Sequence, residues 1–234
     1  MDRRGAERLV KEALSLGKKV LVEPDAKEVL KAHSIAVPEF RFVKDVSSAI
    51  EAAQTLGYPI VLKLVSPDIL HKSEVHGVAV GIKDIDELQH MWAQMVLTVA
   101  CEKPFAQIEG FLVEGMAAKG IEVIAGVVND EQFGPTVMFG LGGISVEIMR
   151  DVSYRIAPIT KADAIDMIRE IKGYPLLAGF RGDHPKDIDA IADVIVKLAD
   201  IAADMHGIKE LEINPLIVYE KGAIAVDARA ILGF

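Results

Sequence analysis

The sequence predicts a mixed α/β chain of the α+β kind, folded as two α/β lobes with a cleft between them as the ligand site. Two patterns predict this. From about Ala26 to Gln107, strand-like and helix-like runs alternate, as in one small α/β lobe. Beyond Gln107, four strand-like runs follow in quick succession, separated by Gly, Asn-Asp or Pro turns, which implies an antiparallel sheet in the C-terminal half. The 234 residues, 51% hydrophobic and 26% charged, suffice for a sizeable core without staples.

The elements follow in order. Ala6, Leu9, Val10, Ala13 and Leu14 recur at helical spacing, and Gly17 supplies a stop. A short apolar piece, KKVLVE, precedes a second helix with Pro24 in its first turn and Pro38 beyond its end. EFRFV reads as a strand, SSAIEAAQTLG as a helix stopped by Gly57, and IVLKLV as a short strand. The polar loop SPDILHKSEVHG leads into the strand VAVGI, and a longer helix runs through Leu88, Met91, Trp92, Met95 and Val99. FLVEG, GIEVIAGVV, PTVMFGLGG and VSYRIAP are the crowded strands. Two helices follow, one capped by Thr160 and one with Pro185 at its first turn. ELEINPLIVYE and GAIAVDARAIL then close the chain around the turn Lys221-Gly222.

Charge and composition exclude several classes. A formal net charge of −9 argues against a general nucleic-acid or anionic-membrane binder, so positive charge for an anionic ligand must be local. The single cysteine, Cys101, excludes an internal disulfide or a multi-cysteine metal site and reads as a small filler on a helix. The charged start MDRRGAERLVKEAL lacks an export-signal core, and no run is long enough to span a membrane, so a cytoplasmic protein is expected.

Chemistry concentrates at a few positions. Lys63 is the one charge in IVLKLV, a strand apolar enough to be covered on both faces. An ammonium there either snorkels from an edge strand or is aimed into the cleft at a phosphate. Glu212 and Asn214 share a strand face, and the turn near Lys221-Gly222 folds Asp227 back opposite them. Two carboxylates and an amide oxygen suit Mg²⁺, which wants hard oxygen donors and takes the rest from phosphate and water. A solvated polar hairpin face would look similar, although Asn214-Pro215 inside a strand needs a reason.

Glu114 and Glu122 flank a small-residue connection whose backbone can meet a purine edge, with an acidic side chain accepting from ribose hydroxyls. A plain hairpin turn reads the same way. In DILHKSEVHG, His71 is either a solvent-exposed histidine or a nucleophile toward phosphorus, and a P-loop motif is missing from the chain. Gly140, Gly142 and Gly143 bring backbone close to a ligand or merely bend a strand. Arg155 binds a phosphate or, slightly favoured, sits in a surface ion pair.

The motifs PIVLK, SPDILHKSEVHGV, LVEG followed by GIEV, FGLGGISVEIMRDVSYRIAP, FRGDHPKDIDA, LEINPLIV and VDAR occur in order from about Val20 to the C-terminus. This set resembles the β subunit of ADP-forming (archaeal-type) acetyl-CoA synthetase, with a broader similarity to the succinyl-CoA synthetase β subunit. The resemblance implies the ATP-grasp fold, two lobes gripping a nucleotide. Residues 26–109 would form the smaller lobe, and residues 1–25 plus 110–234 the larger.

It implies the reaction acyl-CoA + ADP + phosphate = acid + CoA + ATP. A CoA- and acyl-binding α subunit is the implied partner in a hetero-oligomer of α2β2 type, with no nucleic acid and no membrane involved. His71 matches a phosphoryl-carrying histidine of the β chain. Lys63 is placed at the nucleotide phosphates, Glu114, Gly115 and Met116 at adenine, and Glu122 near ribose. Asn214 and Asp227 match Mg²⁺ ligands with Glu212 beside them, and Lys72, Ser73 and Arg155 are candidate phosphate contacts. His76 departs from the resemblance, because many relatives are expected to carry glycine there. A succinyl-CoA synthetase-type β subunit, a non-catalytic nucleotide sensor and the ATP-grasp part of an acetyltransferase are the alternative readings.

Overall fold

The computed structural model describes residues 1–69, 71–143 and 151–233. Contacts divide the chain into two compact units, Met1–Val37 with Lys119–Phe234, and Pro38–Ala118.

The larger unit begins with α1 (Arg3–Ser15), capped by Asp2 and burying Ala6, Val10 and Ala13. A two-residue strand, β1 (Val20–Leu21), leads to α2 (Glu23–Ala32), which has Pro24 in its first turn. The remaining strands are β6 (Ile121–Asp130), β7 (Gly134–Leu141), β8 (Val152–Ile156), β9 (Ile208–Val218), β10 (Ala223–Ala225) and β11 (Ala228–Leu232). They form a seven-stranded antiparallel sheet in the order β1-β11-β9-β6-β7-β8, with β10 also pairing β9. Between β8 and β9 lie α5 (Lys161–Glu170), α6 (Tyr174–Leu177) and α7 (Ile188–Asp204).

One face of this sheet is packed by α7, which lies on β6, β7 and β9, and by α2, which lies on β11. Alternation along the strands sends Val123, Ala125 and Val127, Leu211 and Ile213, and Ala228 and Ala230 into that core. Glu122, Glu212, Asn214, Asp227 and Arg229 therefore project from the other face.

Two expectations shift here. Thr160 caps its helix as read, and Asp163 completes a capping box with it, but α7 starts after Asp187, so Pro185 stands in the preceding loop. Asp187 takes over because its side chain accepts from Ala190 N at 2.9 Å and Gly222 N at 2.7 Å, capping the helix and tying it to the β9–β10 turn. Helix α2 packs on α1 and β11, so the chain divides at Val37/Pro38 rather than near residue 25, and the second division falls at Ala118/Lys119 rather than 109/110, which puts Glu114 and Gly115 in the smaller unit. Strand–helix alternation orders elements along the chain but does not say which sheet a helix covers.

The smaller unit contains β2 (Phe40–Val43), α3 (Val46–Leu56), β3 (Ile60–Val65), β4 (Val78–Ile82), α4 (Ile85–Glu102) and β5 (Gly110–Gly115). Its four strands are antiparallel in the order β2-β5-β3-β4. Ile60, Leu62, Leu64, Phe111 and Val113 meet α3 and α4 in one core. Lys63 and Glu114 alternate with those residues and so project from the opposite face.

Candidate functional site

In the smaller unit, all six residues of β3 are buried, as the apolar run of IVLKLV predicts. Lys63 is 5% exposed and Glu114 2% exposed, and Nζ of Lys63 lies 2.7 Å from Oε1 of Glu114. The pair spans β3 and β5: Lys63 stands opposite Leu112 and Glu114 opposite Val61, so the two side chains meet diagonally on one face. Glu114 is thus a carboxylate that helps an ammonium stay inside the sheet. Two positions named together for the nucleotide are in direct contact, through side chains that sequence reasoning did not pair.

The strand ends one residue later. Gly115 N donates to Glu39 O at 3.0 Å, so its N–H is engaged within the sheet, and the strand-free backbone begins at Met116, which is 39% exposed.

His71 heads the loop between β3 and β4. It is exposed and precedes a 3₁₀ turn, Lys72–Val75. The base of this loop is pinned at several points. Gly77 N donates to Lys72 O at 2.7 Å, Leu64 N donates to Gly77 O at 2.8 Å, and Val75 is buried in the core of the unit. Upstream, Asp68 Oδ2 accepts from Gln107 N at 2.7 Å. Ser73 is exposed and Lys72 half-buried within the turn. His76 closes the turn with φ 52 and ψ 31, a left-handed conformation in which glycine carries no Cβ penalty. That geometry supplies the physical reason for a glycine at this point of the pattern.

In the larger unit, β9 and β11 bring the expected oxygen donors together. Asn214 N donates to Asp227 O at 3.2 Å, which sets the two residues opposite each other, and Glu212 is opposite Arg229. Asn214-Pro215, a cis peptide, falls where β9 slips register against β6: Ile213 pairs Ala125, but Leu216 pairs Val123. Two residues of β9 therefore oppose Ile124 alone, a bulge that accommodates a proline without an N–H. Asn214 Nδ2 donates to Glu212 Oε1 at 3.3 Å, and Asp227 Oδ1 accepts from Ala228 N at 2.8 Å. Arg229, unassigned from the sequence, lies 3.4 Å from Glu212 and 2.8 Å from Glu210. Its signal was its place two residues after Asp227 in a strand, which puts it on the same face.

Glu122 is exposed on that face, and its carbonyl accepts from Gly142 N at 2.8 Å. The glycine run packs against the protein's own backbone. A Cβ on Gly140 would lie 2.8 Å from Asp151 O, and one on Gly142 2.9 Å from the Glu122 carbonyl carbon. Within the described residues, close strand packing accounts for both glycines. ISVEIMR, residues 144–150, which follows Gly143 in the motif, lies outside the described residues.

Arg155 is not gathered with the other candidates. Its guanidinium forms a two-pronged ion pair with Glu170 of α5, with one contact at 3.0 Å, the reading slightly favoured from sequence over a phosphate contact. That hydrogen bond holds the Glu170 carboxyl below its ordinary value. Asn214 and Asp227 suit Mg²⁺ chemically, since an amide oxygen and a carboxylate are hard donors. Among the described residues no group of three or more His, Cys, Asp or Glu is placed to hold a metal alone.

Comparison with known proteins agrees over the whole chain. An ATP-grasp domain profile matches residues 12–232. The chain is 49% identical over 232 residues to the acetate–CoA ligase [ADP-forming] I subunit beta of Pyrococcus furiosus, covering 99% of this chain and 100% of that one. A structure of the dinucleotide-forming acetyl-coenzyme A synthetase 1 of Ca. Korarchaeum cryptofilum, with coenzyme A, Ca-AMPCP and HgCl+, superposes with a TM-score of 0.95. It is 43% identical and covers 97% of this chain and 100% of that one. A second structure of that enzyme, with coenzyme A and Mg-AMPPCP and its phosphohistidine segment pointing towards the nucleotide binding site, gives a TM-score of 0.85. There the identity is 40%, and 97% of this chain and 100% of that one are covered. Fold, motif order and full-length identity converge: the chain belongs to the ATP-grasp family of ADP-forming acetate–CoA ligase β subunits.

Proposed function

We propose that this chain is the nucleotide-binding β subunit of an ADP-forming acyl-CoA synthetase, and that His71 passes a phosphoryl group from a phosphohistidine of the α subunit to ADP. The observation that carries this reading is the placement of His71, exposed at the head of a loop whose base is hydrogen-bonded into the sheet that holds Lys63. A relay nucleophile needs this combination of a reachable ring and a fixed point of return.

In the forward transfer, a ring nitrogen of His71 attacks phosphorus. A new N–P bond forms as the partner's N–P bond breaks, and the partner imidazole leaves with its electron pair. A β-phosphate oxygen of ADP then attacks the same phosphorus, an O–P bond forms, and His71 departs as free imidazole. Lys63 sits beside the phosphates, Glu114 holds its ammonium, backbone from Met116 meets the purine edge, and Glu122 accepts from ribose. Asn214 and Asp227 would hold Mg²⁺, which when bound would offset the negative charge crowded on the phosphates.

Similarity to a named β subunit supports a CoA- and acyl-binding α partner, which we place in an α2β2 assembly. Among the described residues no helix is long and apolar enough to cross a membrane. We assign the reaction to the cytoplasm, where ADP and phosphate are available.

The test uses the chain reconstituted with its α subunit. His71→Ala should bind ADP as the parent does, yet acquire no acid-labile phosphate and lose turnover. Unchanged turnover in that variant would overturn the relay.

A further inference from the structure

Arg229 has no part in the reading above, but its geometry connects it to the metal donors. Glu210, Glu212 and Asn214 alternate along β9 and so share a face. Arg229, opposite Glu212 on β11, reaches two of them with one nitrogen: Nη2 lies 2.8 Å from Glu210 Oε1 and 3.4 Å from Glu212 Oε2. The second oxygen of Glu212 accepts the amide N–H of Asn214 at 3.3 Å. An amide held through its nitrogen has its oxygen turned to the other side, and only that oxygen can ligate a cation. Nε of Arg229 is buried without a hydrogen-bond partner among the described residues.

We propose that Arg229 is a positioning residue for the metal site: it fixes Glu212, and Glu212 in turn orients the Asn214 amide so that its oxygen faces the cation. This rests on the reading that Asn214 and Asp227 hold Mg²⁺. Glu212, committed to Arg229 on one oxygen and to Asn214 on the other, then stands behind the ligands rather than among them. Lysine cannot substitute, because a point charge on a flexible stem does not fix two carboxylates in one geometry.

The experiment titrates Mn²⁺ into the reconstituted α–β complex with saturating ADP, following free Mn²⁺ by electron paramagnetic resonance. Arg229→Lys and Glu212→Gln should each weaken Mn²⁺ about tenfold, the usual effect of losing an outer partner of a ligand. The double variant should be no weaker than either single one, because both remove one link. ADP affinity without metal and the unfolding midpoint should stay at the parent's values. Parent-like Mn²⁺ affinity in Arg229→Lys would show that charge alone suffices, and independent, multiplying losses in the double variant would sever the link; either result overturns the proposal. Glu212→Gln probes the same link from the other end and opens no cavity, which covers a failure of Arg229→Lys to fold. Asn214→Ala separates the two readings: if it leaves Mn²⁺ binding intact, the ligand assignment has failed, whatever Arg229 does.

Discussion

Replacing Lys63 by methionine removes one member of a pair that is almost wholly out of water, with Nζ and Oε1 2.7 Å apart. At an effective dielectric of about 20 their gross attraction is about 6 kcal/mol, most of it offset by desolvation of the two charges. Removing one partner breaks an ion pair that lies out of water, so Lys63→Met and Glu114→Leu should each cost about 3–5 kcal/mol. Changing both together removes two desolvation costs with the attraction, and the double variant should recover to near the parent.

Urea unfolding followed by the fluorescence of Trp92 reports this directly. Trp92 is the only tryptophan, and its ring lies 3.9 Å from that of Phe111 on β5, the strand that carries Glu114. Calorimetric titration with ADP is the second readout. The double variant should fold with parent-like stability yet bind ADP at least tenfold more weakly, because a hydrogen bond to a charged group is worth about 1.5–3 kcal/mol. Parent-like ADP affinity in a folded double variant would refute the assignment of Lys63 to the nucleotide. Single variants as stable as the parent would refute the desolvated pair itself.

Two further outcomes follow from local geometry. His76→Gly relieves a left-handed residue, worth about 1–2 kcal/mol, against a glycine entropy cost of about 0.5–1 kcal/mol, so thermal unfolding should move upward slightly and a downward shift counts against the strain. Asp187 is held below its ordinary carboxyl value, first by the Gly222 N–H and then by the Ala190 N–H. A carboxylate with a depressed folded pKa stabilises above its unfolded value, and that contribution is lost as pH falls through the folded one. Asp187→Asn keeps one oxygen acceptor but loses the other, so it should be less stable than the parent at neutral pH by about 1 kcal/mol for one hydrogen bond, and the gap should close below pH 3.8. A gap that persists into acid would assign the effect to packing.

Local pattern determined most of the elements and named the residues of the candidate site. Helical spacing set α1, proline placed the start of α2, and Thr160 capped α5. Six consecutive apolar-flanked positions were enough to bury Lys63, and period-two alternation with one turn set Asn214 opposite Asp227. His71 came from motif order, because a histidine on a polar loop has no local pattern that separates a nucleophile from a solvated ring.

What only the tertiary structure decided involves register between strands distant in sequence. Glu114 as the partner of Lys63 depends on how β5 slides against β3. The hold of Arg229 on Glu210 and Glu212 depends on β11 against β9, and the bulge at Asn214-Pro215 on β6 against β9. The assignment of α2 to the larger unit depends on which sheet its buried face meets. Periodicity states that a side chain must be covered or shares a face with another. The atom that meets it is chosen by pairings whose energies are spread over whole sheets.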